Sequence, residues 1–379
     1  MTSPPTPGRR EERDLPRLAM LRQVTDRTVM DHVFTGGRVT RVELSRRTGI
    51  SKPTISESVR RLEAADLLEE TGVQSGRPGR VATYYELSPT AGWVLGLQVS
   101  QEGVLARCAD LAGGTIADRS YPPVPGGDVR GLVRRLRKAT KDALATPGPL
   151  RAIAMSVANP VDPANHEIIA LSGSPFPEGL LDPRQVFDKL TDAPLLVDND
   201  VNLAVLAERR DGDAGAAESV AYVYLGAGLG MSLYVRDNLV RGANGLAGEI
   251  GYLPDISPSG QTLVGVFDRL GFTQRPATTL DVDRILSALD AGTKDAGRVH
   301  DAVARVVAVI CAVVNPELVL LGGPIGSHPG LIGPVRAAVA GYTPTPVRVE
   351  RAAMAGQAPL AGAVHRALDH ARELLFQNA

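Results

Sequence analysis

From residue 93 onward the chain alternates short apolar runs with longer amphipathic stretches, and this alternation narrows its fold more than any other feature. The apolar runs are VLGLQV, VLARCA, AIAMSV, LLVD, SVAYVYL, MSLYV and LVLLGG. Each is short, mostly aliphatic and followed by turn-forming residues, which is how buried strands look. Helical periodicity covers 129–144, 201–210, 299–314 and 360–375. The stretch 299–314 is almost wholly apolar on its inner faces, as a core helix is. Strands interleaved with helices imply an α/β body built in layers.

Three glycine clusters punctuate this body: GAGLG at 226–230, GANGLAGEIG at 242–251 and LGGPIG at 321–326. Each follows or joins a strand, where the backbone must turn sharply or approach a ligand closely. Tight hairpins use the same residues, so one cluster alone would decide little. Between LLVD and helix 201–210 lies VDNDVN (197–202), with two carboxylates and two amides in six positions. Such a group suits a general base, a metal site or a ledge for sugar hydroxyls, since carboxylates and amides can each bridge two hydrogen bonds. It equally suits a plain helix cap, with Asp198 or Asp200 favoured by the helix dipole.

The first 90 residues differ in character. Residues 1–61 hold thirteen Lys or Arg against seven acids, a net +6 on a chain whose total is −1. A basic module ahead of an acidic body fits nucleic-acid binding. The segment 1–20 (MTSPPTPGRREERD and onward) is proline-containing and polar, and is expected to be a disordered tail. From Leu21, Val24, Val29, Val33 and Phe34 fall on one helical face up to Gly36-Gly37. A second short helix over 42–48 follows Thr40, and Gly49 stands where a helix C-cap needs positive φ. Ser51 is a good N-cap for a third helix, and Pro53 is tolerated in its first turn.

That third helix, SKPTISESVRRLEAADLL, places Ile55, Val59 and Leu62 on one stripe. Pro53, Ser56, Glu57, Arg60 and Arg61 fall on the other side, with Lys52 and Thr54 at the flanks. Helix, glycine turn, then a helix with a short polar face is the helix-turn-helix arrangement, whose second helix enters the DNA major groove. The DNA-facing set expected is Ser51, Lys52, Pro53, Thr54, Ser56, Glu57 and Arg60. A turn-rich stretch at 72–80 followed by VATYYEL predicts a two-stranded wing. At its tip, SGRPGR places Arg77 and Arg80 to enter a narrow minor groove. The plain alternatives are a three-helix packing unit and a solvated basic hairpin.

Composition closes off other classes. The chain is 44% hydrophobic and 22% charged, long enough for two or three domains. No apolar run reaches the roughly 18 residues of a membrane span, and no secretory leader is apparent, so a cytoplasmic location is expected. Cys108 and Cys311 sit apart in apolar contexts without zinc-ligand spacing, as buried hydrophobes in a reducing compartment do. Lysine occurs only at 52, 138, 141, 189 and 294, which points to a GC-rich source such as an actinobacterium.

From about residue 21 the chain resembles the ROK family of repressors, open reading frames and kinases. The resemblance is carried by LSRRTGISKPTISESVRRLEAADLL, the GRP wing, NPVDP (159–163), VDNDVN, LGAGLGMSLYVRDNLVRGANGLAGEIG and NPELVLLGGPI. It implies an α/β fold with an N-terminal winged helix-turn-helix over 21–87. Behind it, over 88–379, it implies a two-lobed actin-like (RNase-H-like) sugar-kinase body for ligand sensing and oligomerisation. It also implies operator DNA as partner, a homodimer or homotetramer, and a sugar pocket containing Asn199, Asp200 and Glu249. In the kinases the residue matching Asp200 is the general base.

Three departures redirect that expectation. Family kinases open the body with Asp-x-Gly-Gly-Thr, which handles ATP phosphates and Mg²⁺. Here LGLQVSQEGV puts Gln98 for the Asp, Ser100 and Gln101 for the glycines and Glu102 for the Thr. A like charge at roughly 4 Å costs about 1 kcal/mol in water and several times more in a cleft. Phosphoryl transfer rests on positioning and charge neutralisation, so loss of activity is expected. The family's zinc run of one His and three Cys is missing: Tyr252 stands for the His and no cysteine follows, so no metal is expected. The Asn-Leu-x-x-Trp segment appears as LSGSPF (171–176). The expectation is therefore a non-enzymatic DNA-binding regulator without cofactor, answering to a sugar or sugar phosphate held by Asn199, Asp200, Glu249 and Tyr252. The competing expectations are an active sugar kinase with a DNA-binding accessory, and a regulator answering to a protein partner.

Overall fold

The computed structural model describes residues 15–74, 82–125, 128–171, 177–254, 262–274 and 279–377. Its N-terminal unit is built from α1 (Leu15–Gly36), β1 (Val39–Thr40), α2 (Arg41–Thr48), α3 (Lys52–Ala64), β2 (Leu68–Gln74) and β3 (Ala82–Leu87). The local signals act where the sequence put them. Thr40 and Glu43 close a reciprocal capping box at the start of α2, and Gly49 ends it at φ +72°. Ser51 caps α3 by accepting from the Thr54 N–H. Ile55, Val59 and Leu62 are buried beside Val29, Met30, Val33, Leu44 and Tyr85. The wing strands form a small antiparallel sheet in the order β1-β3-β2.

Two expectations change here. The first helix begins at Leu15, inside the segment expected as a tail. Arg61, placed by periodicity on the outer face of α3, instead turns inward. Its guanidinium donates to both carboxylate oxygens of Asp26 on α1 at 3.0 and 2.6 Å. Ser58 donates to the same carboxylate. Arg61 therefore fastens α3 to α1. The wing tip bearing Arg77 and Arg80 lies outside the described residues.

The body holds two five-stranded sheets. The first uses β4 (Trp93–Ser100), β5 (Gly103–Asp110), β6 (Thr115–Tyr121), β7 (Leu150–Val157) and β8 (Leu195–Asn199), in the order β6-β5-β4-β7-β8. Helices α4 (Val129–Ala143) and α5 (Pro183–Phe187) belong to the same lobe. After α6 (Asp200–Arg210), the second sheet uses β9 (Ser219–Leu225), β10 (Leu229–Val235), β11 (Asn238–Val240), and later strands β14 (Leu318–Gly322) and β15 (Arg348–Arg351). Its order is β11-β10-β9-β14-β15. Both sheets run three antiparallel strands and then two parallel ones, with the same crossover pattern. That duplication is the two-lobed actin-like body.

Between β11 and β14 come α7 (Leu263–Arg269), the strand pair β12 (Thr273–Gln274) and β13 (Thr279–Leu280), α8 (Val282–Asp290) and α9 (Lys294–Val314). Helices α10 (Gly323–Gly326) and α11 (Pro329–Val339) precede β15, and α12 (Ala358–Gln377) ends the described chain. Helix α9 is longer than its apolar pattern indicated because Thr293 caps a polar first turn. Among the described residues no helix is long and apolar enough to cross a membrane.

Helix α12 returns to pack on the first sheet and on α6. A Cβ at Gly362 would stand 2.0 Å from the Leu203 carbonyl oxygen, so α6 and α12 touch backbone to backbone. The same helix reaches the N-terminal unit. Arg372 lies over the Phe34 ring at 4.4 Å and donates to the Leu111 carbonyl oxygen at 2.7 and 2.9 Å. One continuous apolar core consequently runs from the winged helix through α12 into the first lobe.

Candidate functional site

The last residues of β8 and the start of α6 carry VDNDVN. Neither flanking aspartate is the cap of this helix. Asn199 is: its side-chain carbonyl accepts from the Val201 and Asn202 N–H groups at 3.0 and 3.3 Å. Its amide donates to the Ala158 and Asn159 carbonyl oxygens, both at 3.3 Å. A primary amide has two donors and two lone pairs, so Asn199 is fully engaged by the fold, although it borders the cleft.

Asp198 is buried and joins the lobes. It accepts from Arg241 at 2.5 Å and from the Asn202 amide at 3.1 Å. The Asn202 side-chain carbonyl in turn accepts from Ser232 on β10 at 2.8 Å. Arg241 follows β11 in the second lobe, so this relay ties the two lobes together.

Between the lobes lies a cavity of about 270 Å³ that brings together all four residues expected to hold a sugar: Asn199, Asp200, Glu249 and Tyr252. Asp200 is half-buried and accepts from the Val201 N–H at 2.8 Å. Glu249 is half-buried, has no side-chain partner among the described residues, and burial pushes its carboxyl up to about 7. Tyr252 is 56% exposed, standing at the mouth. The glycine cluster at 242–251 explains the opposite wall. A Cβ at Gly248 (φ +97°) would stand 1.8 Å from the Met231 carbonyl oxygen. One at Gly245 (φ +74°) would stand 2.1 Å from the Val161 carbonyl oxygen of the other lobe. Only glycine lets this turn press on both.

Asn159 falls within NPVDP and Arg241 within the long glycine-rich motif, but neither shows its role in the sequence. Asn159 is 1% exposed, lines the cavity, and leaves its side-chain carbonyl oxygen without a partner among the described residues. It is covered by Ile169 and Gly179 from later in the chain, which no local pattern announces. The turn from β4 to β5 carries Glu102, whose charge, after burial and Asp200, raises the Tyr224 phenol lining the same cavity. At the strand ends, the place a side chain would take on Gly322 is filled by the Tyr222 phenol, 2.1 Å from an added Cβ. Among the described residues no cluster of His, Cys, Asp and Glu is spaced to hold a metal ion.

On the N-terminal unit, Ser51, Lys52, Pro53, Thr54, Glu57 and Arg60 are exposed together, with Ser56 half-buried. Arg60 is paired with Glu57 at 2.7 Å on this open face.

Comparison with known proteins agrees with both halves. A family model described as ROK family matches residues 103–265, and one described as MarR family matches residues 29–80. A xylose repressor of Caldicellulosiruptor bescii is 23% identical over 335 residues, covering 80% of this chain and 84% of that protein. A solved ROK family transcriptional regulator, a homologue of the E. coli MLC protein, superposes with a TM-score of 0.67 at 19% identity. The match covers 94% of this chain and 98% of that one. A ROK family glucokinase from Streptomyces griseus, solved with glucose and AMPPNP, superposes with a TM-score of 0.56 at 20% identity, over 73% of this chain and all of that one. The chain thus carries a ROK family domain behind a MarR-type winged helix-turn-helix domain.

Proposed function

We propose that the chain is a DNA-binding transcriptional regulator whose body binds a sugar or sugar-derived metabolite in the interlobe cleft and does not transfer phosphate. One juxtaposition carries this reading. An open polar recognition helix shares a continuous core with a body that keeps Asp200 and Glu249 in its cleft, but has Ser100, Gln101 and Glu102 where a phosphate cradle would need bare backbone. Phosphoryl transfer needs donors and cations around the migrating group. This cleft offers a carboxylate instead, and the Tyr222 phenol fills the space beside Gly322.

Ser51, Lys52, Pro53, Thr54, Ser56, Glu57 and Arg60 would meet operator DNA, with Arg77 and Arg80 of the wing in the minor groove. Two heads of a homodimer or homotetramer would read a palindromic site. Asp200, Glu249 and Tyr252 would take sugar hydroxyls, while Asn199 shapes the ledge. Ligand at the start of α6 would act on DNA binding through the α6–α12 contact and the Arg372–Phe34 contact. A coupling of about 1–3 kcal/mol is ordinary for such linkage. A working place in the cytoplasm follows from that role.

The retained Asp200 favours a second reading, an active sugar kinase with a DNA-binding accessory. An ATP-dependent phosphorylation assay over hexoses and pentoses, run beside a thermal-shift screen of the same sugars, separates the two. The proposed function expects stabilisation by a sugar without turnover; robust turnover would replace it with the kinase. Xylose heads the panel because a relative is named a xylose repressor. If no sugar, sugar phosphate or nucleotide raises Tm, a protein partner becomes the better candidate for the signal.

A further inference from the structure

We propose that the cleft selects a monosaccharide that carries no anionic group, and that Asn159 is the residue that reads one of its hydroxyls. This rests on the reading of the cleft as a sugar site and decides between a free sugar and a sugar phosphate. The cavity, about 270 Å³, equals roughly nine waters at ~30 Å³ each, room for one sugar ring.

Its charge is one-sided. Asp200 and Glu249 line it, and among the described residues no Lys, Arg or His does. Arg241, just after β11, does not line the cavity and is held by Asp198. Glu102 adds negative charge near Tyr224. Among the described residues, a phosphate or carboxylate placed here would meet carboxylates and no cation, whereas hydroxyls would find acceptors.

Asn159 supplies the second, independent observation. Its amide nitrogen donates to the Ile169 carbonyl oxygen at 3.3 Å, which fixes the amide orientation because a carbonyl only accepts. The side-chain carbonyl oxygen is then a buried acceptor bordering the cavity, without a partner among the described residues. A buried acceptor left unpaired is costly, and a group that donates to it recovers that cost. A sugar hydroxyl donates; an ionised phosphate or carboxylate presents only lone pairs.

The test titrates the full-length chain by calorimetry at pH 8 with matched probes: D-glucose, D-glucose 6-phosphate and D-gluconate, then D-xylose and D-xylonate. For whichever sugar binds, the anionic member should bind on the order of 100-fold more weakly, from like charges at a few ångströms in a partly dry site. Glu249→Gln should narrow that gap about tenfold, the worth of removing one of the opposing charges. Asn159→Leu should weaken the free sugar about tenfold or more, the loss of one buried hydrogen bond to the ligand. Asn159→Ser, which restores a hydroxyl acceptor, should recover part of the affinity. An anionic member that binds within tenfold of its neutral partner overturns the charge rule. Unchanged affinity in Asn159→Leu removes that residue's role. Failure of every probe of either charge removes the sugar reading itself, and this selectivity with it.

Discussion

Replacing Glu249 by glutamine should stabilise the unliganded protein, and by an amount that depends on pH. The carboxyl titrates near 7 in the fold, raised by burial, against 4.5 in its ordinary state. Below about pH 4.5 the acid is protonated folded or unfolded and contributes no difference. Between 4.5 and 7 the unfolded chain has released the proton while the folded one still holds it, so stability falls as pH rises. Above 7 the full cost is in place. At 1.36 kcal/mol per pH unit it would be about 3 kcal/mol. The side chain is partly open to the cleft, so solvent screening reduces this to about 1–2 kcal/mol. Glutamine is neutral throughout and nearly the same shape. The variant should therefore differ least from the parent at pH 5 and exceed it most at pH 8, by about 2–6 °C in Tm at the usual conversion for large domains. Parallel thermal scans of both proteins from pH 5 to 8 measure it. A difference that stays constant across that range, or a glutamine variant less stable at pH 8, would mean that an ionised Glu249 is held by a partner, and the electrostatic picture of the cleft would be wrong.

Other substitutions separate residues that look alike in sequence. Arg60→Ala should weaken binding to operator DNA and reduce its salt slope by about one, leaving Tm unchanged. Arg61→Ala should instead cost about 1–3 kcal/mol of N-terminal-unit stability by stranding Asp26; chemical denaturation followed through that unit distinguishes them, and identical behaviour of the two variants would contradict the packing of α3. Arg241→Ala should destabilise the body by about 2–3 kcal/mol, since it leaves Asp198 buried without its ion-pair partner. An unchanged denaturation midpoint would mean that this interlobe contact is not formed in solution. Asp200→Ala should abolish any sugar response in a DNA-binding assay while leaving the unliganded affinity intact, and loss of both would assign Asp200 to the fold.

Much of this architecture was legible because the signals were local. Thr40, Glu43, Gly49 and Ser51 fix their caps whatever surrounds them, and the apolar stripe of Ile55, Val59 and Leu62 has one face to bury. The strands with aliphatic runs were equally plain, whereas β6 (TIADRSY) and β15 (RVER) carry polar faces and gave no such pattern. Arg61 was misplaced because periodicity assigns a face but cannot anticipate an aspartate waiting on α1. In VDNDVN the choice among cap, clasp and ledge could not be made from residue type. The answer divides them, with Asn199 capping, Asp198 clasping Arg241, and Asp200 facing the cavity. Asn159 and Arg241 were invisible for the same reason: their roles arise from contacts between segments distant in sequence.

The central claim is that a sugar in the cleft changes how the winged helix holds DNA. DNA selected from a random pool by the full-length chain, titrated by fluorescence anisotropy with and without the sugar that stabilises the protein, tests it most directly. The account predicts sequence-preferring, salt-sensitive binding whose affinity shifts by about 5–150-fold when the sugar is present, the range of ordinary allosteric coupling, with the shift lost in Asp200→Ala. Binding without sequence preference, or an operator affinity indifferent to a sugar that demonstrably occupies the cleft, would contradict it.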